Sequence, residues 1–344
     1  MLRRAIESAI NQSYRNIKIC VYDNASGDET EDVVKEFSLR DNRVFYYKNE
    51  KNIGAINNMI RGVREVTTPY YSLLNDDDFL LPDFYEKAMM AFSEYPSAGF
   101  VCVKTVTLDL INKRIELRNK DWLPGYYEPS NAVTSQMYFS HIVQTGVLLS
   151  KKMESLIGAF DLSGNDHLYM TMAAAAAPFV ILDHYGAAYI SHELAYSAID
   201  EGISKERIPT LYESLLISVK NVIEMDLPSD EKMHLLMFVM RSYQEMFDSK
   251  KLRYLFGTYS EEKMPDLLKL PSLITNRGFV AKLYCWMPRK LNFFIKYLYK
   301  IIVSVRAIKR STASNWSPLR NETHEMLINC DIDISKLTKS LGIQ

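Results

Sequence analysis

Apolar residues along the first part of the chain recur with two alternating spacings. Short apolar runs at Ile17–Tyr22, Val44–Tyr47, Tyr70–Leu74 and Phe100–Val103 have the length and the β-branched or aromatic content of strands. Between them the spacing becomes helical. Val33, Val34 and Phe37 share one face of a helix predicted over Asp28–Phe37, and Ile56, Met59, Ile60 and Val63 share one face of a helix over Ala55–Val66. A further helix is predicted over Asp83–Tyr95. The opening segment, Met1–Gln12, reads as an amphipathic helix; its charged residues interrupt every apolar stretch, so it is not a signal peptide. Strands alternating with helices at this spacing predict an α/β fold with right-handed crossovers and a mostly parallel sheet. Ligands on such sheets bind beyond the C-terminal ends of the strands.

From about Ile203 the strand pattern fades. Leu235, Leu236, Val239, Met240 and Tyr243 recur at helical spacing, which predicts a mainly helical extension over 201–344. Ala173–Ala177, closed by Pro178, reads as the tight packing face of a helix. No run of 18 uncharged apolar residues is present, so no spanning helix is expected. Residues 277–310 hold nine Lys or Arg and no Asp or Glu, and Leu291, Phe294, Ile295, Leu298, Ile301, Ile302, Val305 and Ile308 form a helical stripe. A basic amphipathic helix flanked by Tyr284 and Trp286 fits an anionic membrane surface; its alternative is a helix packed on the protein's own core with solvated lysines. The expectation is a cytoplasmic protein held peripherally on the inner face of the plasma membrane.

Composition narrows the classes without choosing among them. A hydrophobic content of 47% and charge of 24% are those of a globular protein, and a net charge of −1 gives no field that would favour nucleic acid. Cys20, Cys102, Cys285 and Cys330 lie far apart with no paired spacing, which argues against a zinc site or a disulfide framework and fits a reducing compartment.

The chemistry concentrates where a strand is predicted to end. Asn75-Asp76-Asp77-Asp78 follows the run Tyr70–Leu74 and precedes Phe79-Leu80-Leu81-Pro82. Carboxylates crowded at a strand end repel one another, and a hard divalent cation with oxygen ligands would relieve this. The plainer alternative is an acidic turn whose Asp78 caps the next helix. Asp23 stands at the end of a neighbouring predicted strand, in the turn-rich segment Asp23-Asn24-Ala25-Ser26-Gly27-Asp28.

Five segments, in order, resemble family 2 glycosyltransferases. Leu2–Tyr14 looks like the family's first helix, and Ile17–Thr30 its second strand and acidic turn. Asn52-Ile53-Gly54 resembles its N-x-G loop, and Asn75–Asp78 with Pro82-Asp83 its metal motif. Gly158-Ala159-Phe160-Asp161 with Asn165-Asp166 resembles its acceptor-side motif. The resemblance implies a GT-A fold, Rossmann-like with a mostly parallel sheet, over residues 1–200. It also implies an inverting, metal-dependent transferase that moves a sugar from a UDP-, GDP- or dTDP-linked donor to a hydroxyl of a glycan or lipid-linked acceptor. In that reading Asp166 is the general base. Asp23, Asn24, Asn52, Gly54 and Asp76 bind the donor, with Asn57 shaping the same loop. Asp77, Asp78 and His192 serve Mn²⁺ or Mg²⁺, Asp78 by supporting the turn or a metal-bound water.

The sequence departs from the family pattern at several points. The chain starts at the helix that should follow the first strand, so the domain is expected to be truncated at its N-terminus. Asn75 and Asn165 stand where the family has Asp and Glu, and the Arg usual before His192 is absent. Two other readings remain at this stage. One is a truncated remnant without turnover. The other is a nucleotidyltransferase, which shares strand-end carboxylates but usually needs a Gly-rich basic loop near the N-terminus.

Overall fold

The computed structural model describes residues 1–119, 122–130, 133, 136–137, 142–158, 166–193, 218–229, 231–233, 235–236 and 239. Helix α1 (Leu2–Ile10) opens the chain, followed by β1 (Ile19–Asp23), α2 (Thr30–Arg40), β2 (Val44–Lys48) and α3 (Ala55–Arg64). Strands β1 and β2 pair in parallel as a two-stranded sheet, with Asp23 opposite Lys48 at the end of the ladder. Beneath them α1 contributes Ile6, and α2 contributes Val33, Val34 and Phe37, to a core closed by Val44. Burying a side chain such as Phe37 contributes about 1.5–3 kcal/mol. The helical periodicity therefore decides which face of α2 meets the sheet.

The second sheet has seven strands. These are β3 (Tyr70–Tyr71), β4 (Phe79–Leu80), β5 (Phe100–Asp109), β6 (Arg114–Arg118), β7 (Gly125–Tyr127), β8 (Val147–Ser150) and β9 (Phe179–Ser191). The long β5–β9 pair is parallel, while the shorter flanking strands pair antiparallel: β3 with β8, β8 with β5, β9 with β4, β6 with β5 and β7 with β9. Helix α4 (Phe84–Glu94) covers one face with Phe84, Ala88, Ala91 and Phe92 against Val101, Val103, Leu148, Val180 and Ala187. The short α5 (Met153–Ile157) and the longer α6 (Asp166–Ala176) precede β9. Almost all of α6 is buried, including Ala173, Ala174 and Ala175, so the alanine run is a packing face.

Most boundaries move by one to three residues, α2 for example running over Thr30–Arg40 and not Asp28–Phe37, and two differences have a visible cause. The strand expected over Tyr70–Leu74 pairs only at Tyr70 and Tyr71, and the Ser72 hydroxyl instead meets the Tyr85 hydroxyl at 2.7 Å. The strand expected over Phe100–Val103 runs on to Asp109, past a register shift around Lys104 that interrupts the apolar run. Within the expected helical extension, 218–224 and 231–233 are helical, with Val219, Val222, Leu235, Leu236 and Val239 buried. Met240, Tyr243 and the basic segment 277–310 lie outside the described residues. Among the described residues no helix is long and apolar enough to cross a membrane.

Candidate donor and metal site

The acidic turn 75–78 lies between β3 and β4, and β4 pairs with β9 through Phe79–Ala188 and Leu80–Ala187. That pairing carries the residue just past β9, His192, back to the turn. His192 Nε2 lies 3.1 Å from Asp77 Oδ2, and both side chains are largely buried. The structure thus joins two residues separated by more than a hundred positions that the resemblance had assigned to one metal.

The three carboxylates face different ways. Asp78 is fully buried and turned inward. Its Oδ1 accepts the Ile190 amide N–H at 2.9 Å, and its Oδ2 accepts from Thr145 Oγ1 at 2.5 Å and Asn75 Nδ2 at 3.1 Å. Burial pushes its carboxyl up to about 6, against the lowering effect of those bonds. Asp78 therefore braces the turn, and its oxygens are spent on protein donors. Of the two roles expected for it, this geometry suits support of the turn rather than a metal-bound water. Asp76 keeps much of its surface in solvent. Crowding by protein atoms, and then the Asp77 charge, push its carboxyl above the usual range. Asp76 and Asp77 are the carboxylates free to meet a ligand.

Helix α1 holds this turn through a stripe that sequence reasoning did not single out. Arg4 Nη2 donates to the Asp77 carbonyl at 2.6 Å, and Ser8 Oγ accepts the Leu80 amide at 3.0 Å. Gln12, almost fully buried, donates to the Leu81 carbonyl at 2.7 Å and accepts the Tyr85 amide at 3.2 Å. Arg4 and Ser8 are four apart and so share a face of α1, and Gln12 continues the same spacing two residues past the helix end. A polar line beside the buried Ala5, Ile6 and Ala9 was the available signal. Burial lowers the Arg4 guanidinium below its ordinary value, while the charges of Asp78 and Asp77 oppose that shift.

At the end of β1, Asp23 is buried. Its Oδ1 accepts the Ser26 amide at 2.9 Å and also meets the Ser26 hydroxyl, and its Oδ2 accepts the Tyr46 hydroxyl at 2.6 Å. Burial alone would raise this carboxyl, but the bonds from Ser26 and Tyr46 outweigh it and hold Asp23 below its ordinary value. An ionised carboxylate with fixed orientation and lone pairs to spare is a competent acceptor for an N–H edge. Asn24 and Asn52 are joined by a 2.9 Å bond, Asn52 Oδ1 accepts the Gly54 amide at 2.9 Å, and Asn57 Nδ2 donates to the Ile53 carbonyl at 2.8 Å. Gly54 has φ +85° at the start of α3, a conformation that a side chain would strain.

Asp166 is the first residue of α6, half-buried, and its Oδ1 accepts the His167 amide at 2.9 Å. Asn165, beside it in sequence, and Asp161 lie outside the described residues. Among the described residues no three His, Cys, Asp or Glu groups converge to hold a metal ion. Asp77 and His192 place one carboxylate oxygen and one imidazole nitrogen side by side, of which the oxygen is the ligand type that a hard divalent cation takes. The rest of a coordination shell would have to come from substrate phosphate and water.

Residues 1–155 match the profile of Glycosyl transferase family 2. Chondroitin synthase of Escherichia coli is 30% identical over 142 residues, 40% of this chain and 19% of that protein. GalNAc(5)-diNAcBac-PP-undecaprenol beta-1,3-glucosyltransferase of Campylobacter jejuni is 30% identical over 95 residues, 27% of this chain and 31% of that protein. An uncharacterized glycosyltransferase of Methanocaldococcus jannaschii is 33% identical over 87 residues, 25% of this chain and 30% of that protein. The chain thus spans about a third or less of the length of these curated relatives. Among solved structures, S. aureus TarS 1-349 in complex with UDP-GlcNAc superposes with a TM-score of 0.56 at 15% identity, covering 78% of this chain and 74% of that one. The fold is GT-A.

Proposed function

We propose, from the premise that residues 1–155 are a family 2 glycosyltransferase domain, that the protein transfers a sugar from a nucleotide-sugar to a hydroxyl of a glycan or lipid-linked acceptor, with inversion. The observation that carries the reading is the meeting of His192 with Asp77, 3.1 Å apart, beside Asp76 in the turn braced by Asp78. Asp77 and His192 would hold Mn²⁺ or Mg²⁺, which when bound supplies Lewis acidity at the leaving diphosphate. Asp23 would accept the imide N–H of the base, Asn24, Asn52 and Gly54 would shape the loop over it, and Asp76 would face the ribose. Asp166 takes the acceptor hydroxyl proton as the new oxygen–carbon bond forms and the anomeric carbon–phosphate oxygen bond breaks. The electron pair leaves with the nucleoside diphosphate. Asp166 opens α6, where the bond from the His167 amide fixes the orientation of its carboxylate.

A UDP-linked donor is the first to try, because TarS was solved with UDP-GlcNAc. The names of the Escherichia coli and Campylobacter jejuni relatives support a polysaccharide or lipid-linked acceptor. The nine basic residues and the apolar pattern of 277–310 support a peripheral membrane position, with about 1 kcal/mol per basic residue near an anionic surface. The test is release of nucleoside diphosphate from a panel of UDP-, GDP- and dTDP-sugars with lipid extract as acceptor. Asp166→Asn should abolish acceptor-dependent release while sparing donor binding. Turnover by Asp166→Asn at the wild-type rate would reject its assignment as base.

A further inference from the structure

We propose that Asn49 is a positioning residue of the donor site, the amide through which α3 holds Asn24 and the 52–54 loop in place. The inference rests on the reading of Asp23 and Asn24 as donor contacts. Asn49 follows β2 directly, and its amide N–H donates to the Asp23 carbonyl at 2.9 Å, carrying the parallel ladder one residue past the strand. Its side chain is buried at 8% exposure, between the turn after β1 and helix α3.

Each polar atom of that side chain is engaged. Nδ2 donates to Asn24 Oδ1 at 3.0 Å and to Asn58 Oδ1 at 2.8 Å, and Oδ1 accepts from Arg61 Nη1 at 2.5 Å. A guanidinium can only donate, so the Asn49 oxygen must face Arg61 and its two N–H groups must face the neighbouring oxygens. Both ends of the network are anchored. Asn58 Nδ2 donates to the Tyr22 carbonyl at 2.8 Å, fixing α3 to β1. Asn24 Oδ1 also accepts the Ile53 amide at 2.9 Å, while Asn24 Nδ2 donates to Asn52 Oδ1, which in turn accepts the Gly54 amide. Asn49 thus transmits the position of α3 to the backbone of 53–54 through Asn24.

The experiment is a calorimetric titration of UDP with Mn²⁺, then of GDP and dTDP, into the full chain. The proteins are wild type, Asn24→Ala, Asn49→Ala, the double variant and Asn49→Asp. Asn49→Ala should weaken nucleotide binding about tenfold, the scale of one or two net hydrogen bonds. Because Asn49 acts through Asn24, the double variant should bind no more than about twofold more weakly than Asn24→Ala alone. Asn49→Asp keeps the volume but aims a carboxylate at two oxygens. It should weaken binding at least as much as Asn49→Ala, and because it keeps the bond from Arg61 it should lose less melting temperature than the alanine variant, which keeps the test valid if the alanine variant does not fold. Donor KM should rise with kcat at saturating donor held within about twofold, a split that general destabilisation does not produce. Variants that bind as wild type does, or a double variant whose losses multiply, would overturn the inference alone. Failure of folded wild type to bind any of the three nucleotides would overturn the donor-site reading and the inference with it.

Discussion

Replacing Thr145 by Val removes a single hydroxyl and keeps the shape of the side chain. In the fold that hydroxyl donates at 2.5 Å to Asp78 Oδ2, a carboxylate with no solvent contact. The carboxyl of Asp78 stands at about 6 against an ordinary 3.8, with burial the main cause. A carboxyl raised by folding contributes stability that is fully present below its unfolded value. That contribution is lost as pH rises through the folded value, here about 6, and amounts to about 3 kcal/mol between the two limits. Above pH 6 the Thr145 hydroxyl serves a charged acceptor, where such a bond contributes about 1.5–3 kcal/mol; to the protonated acid it contributes about 0.5–1.5 kcal/mol. Thr145→Val should therefore cost about 1 kcal/mol more at pH 8 than at pH 5. That corresponds to roughly 2–4 °C of additional fall in melting temperature for a domain of this size. Melting of both proteins followed by near-ultraviolet circular dichroism at the two pH values measures the difference. An equal loss at pH 5 and pH 8 would refute the reasoning, because Asp78 would then not be the ionised acceptor that the turn is built around.

Three other outcomes follow from the same geometry. His192→Ala removes the partner of Asp77 and should raise the Mn²⁺ concentration needed for half-maximal nucleotide binding by about tenfold or more, while an unchanged Mn²⁺ titration would exclude His192 from the metal. Gln12→Ala leaves the Leu81 carbonyl and the Tyr85 amide without their buried partner, so urea unfolding should show a loss of about 2 kcal/mol with an unchanged slope. Gly146→Ala would bring a Cβ to 2.6 Å from Thr105 Oγ1 and 3.1 Å from Val103 Cγ2. It should cost about 1–3 kcal/mol and, by shifting Thr145, reproduce part of the pH dependence of Thr145→Val in the same melts.

Local periodicity made much of the first half legible. The faces of α2 and α3 and the strands β1 and β2 follow from apolar spacing, since burial of one face is what those residues do wherever the chain folds. The limits of that logic appear at β5, where Lys104, Thr105 and Thr107 break the apolar run and yet the strand continues, because β9 and β6 pair with it on either side. The site was legible as residue types near strand ends: Asp23 ends β1, whereas Asp77 lies in the turn between β3 and β4. The direction of each carboxylate was not. Asp78 turns inward because Thr145 and Ile190 donate to it, and they lie 67 and 112 positions away. Arg4 and Ser8 on α1, with Gln12 just past its end, carry a local signal, a polar residue every fourth position beside an apolar face. Its meaning depends on the turn against which that face is placed.

Calorimetric titration of UDP into the purified full chain, with Mn²⁺ and then with EDTA, tests the central claim most directly. The account predicts UDP binding in Mn²⁺ that is lost in EDTA, with GDP or dTDP replacing UDP if the base differs. A folded protein that binds none of the three, or binds them equally well in EDTA, would contradict a metal-dependent nucleotide-sugar site built on Asp77 and His192.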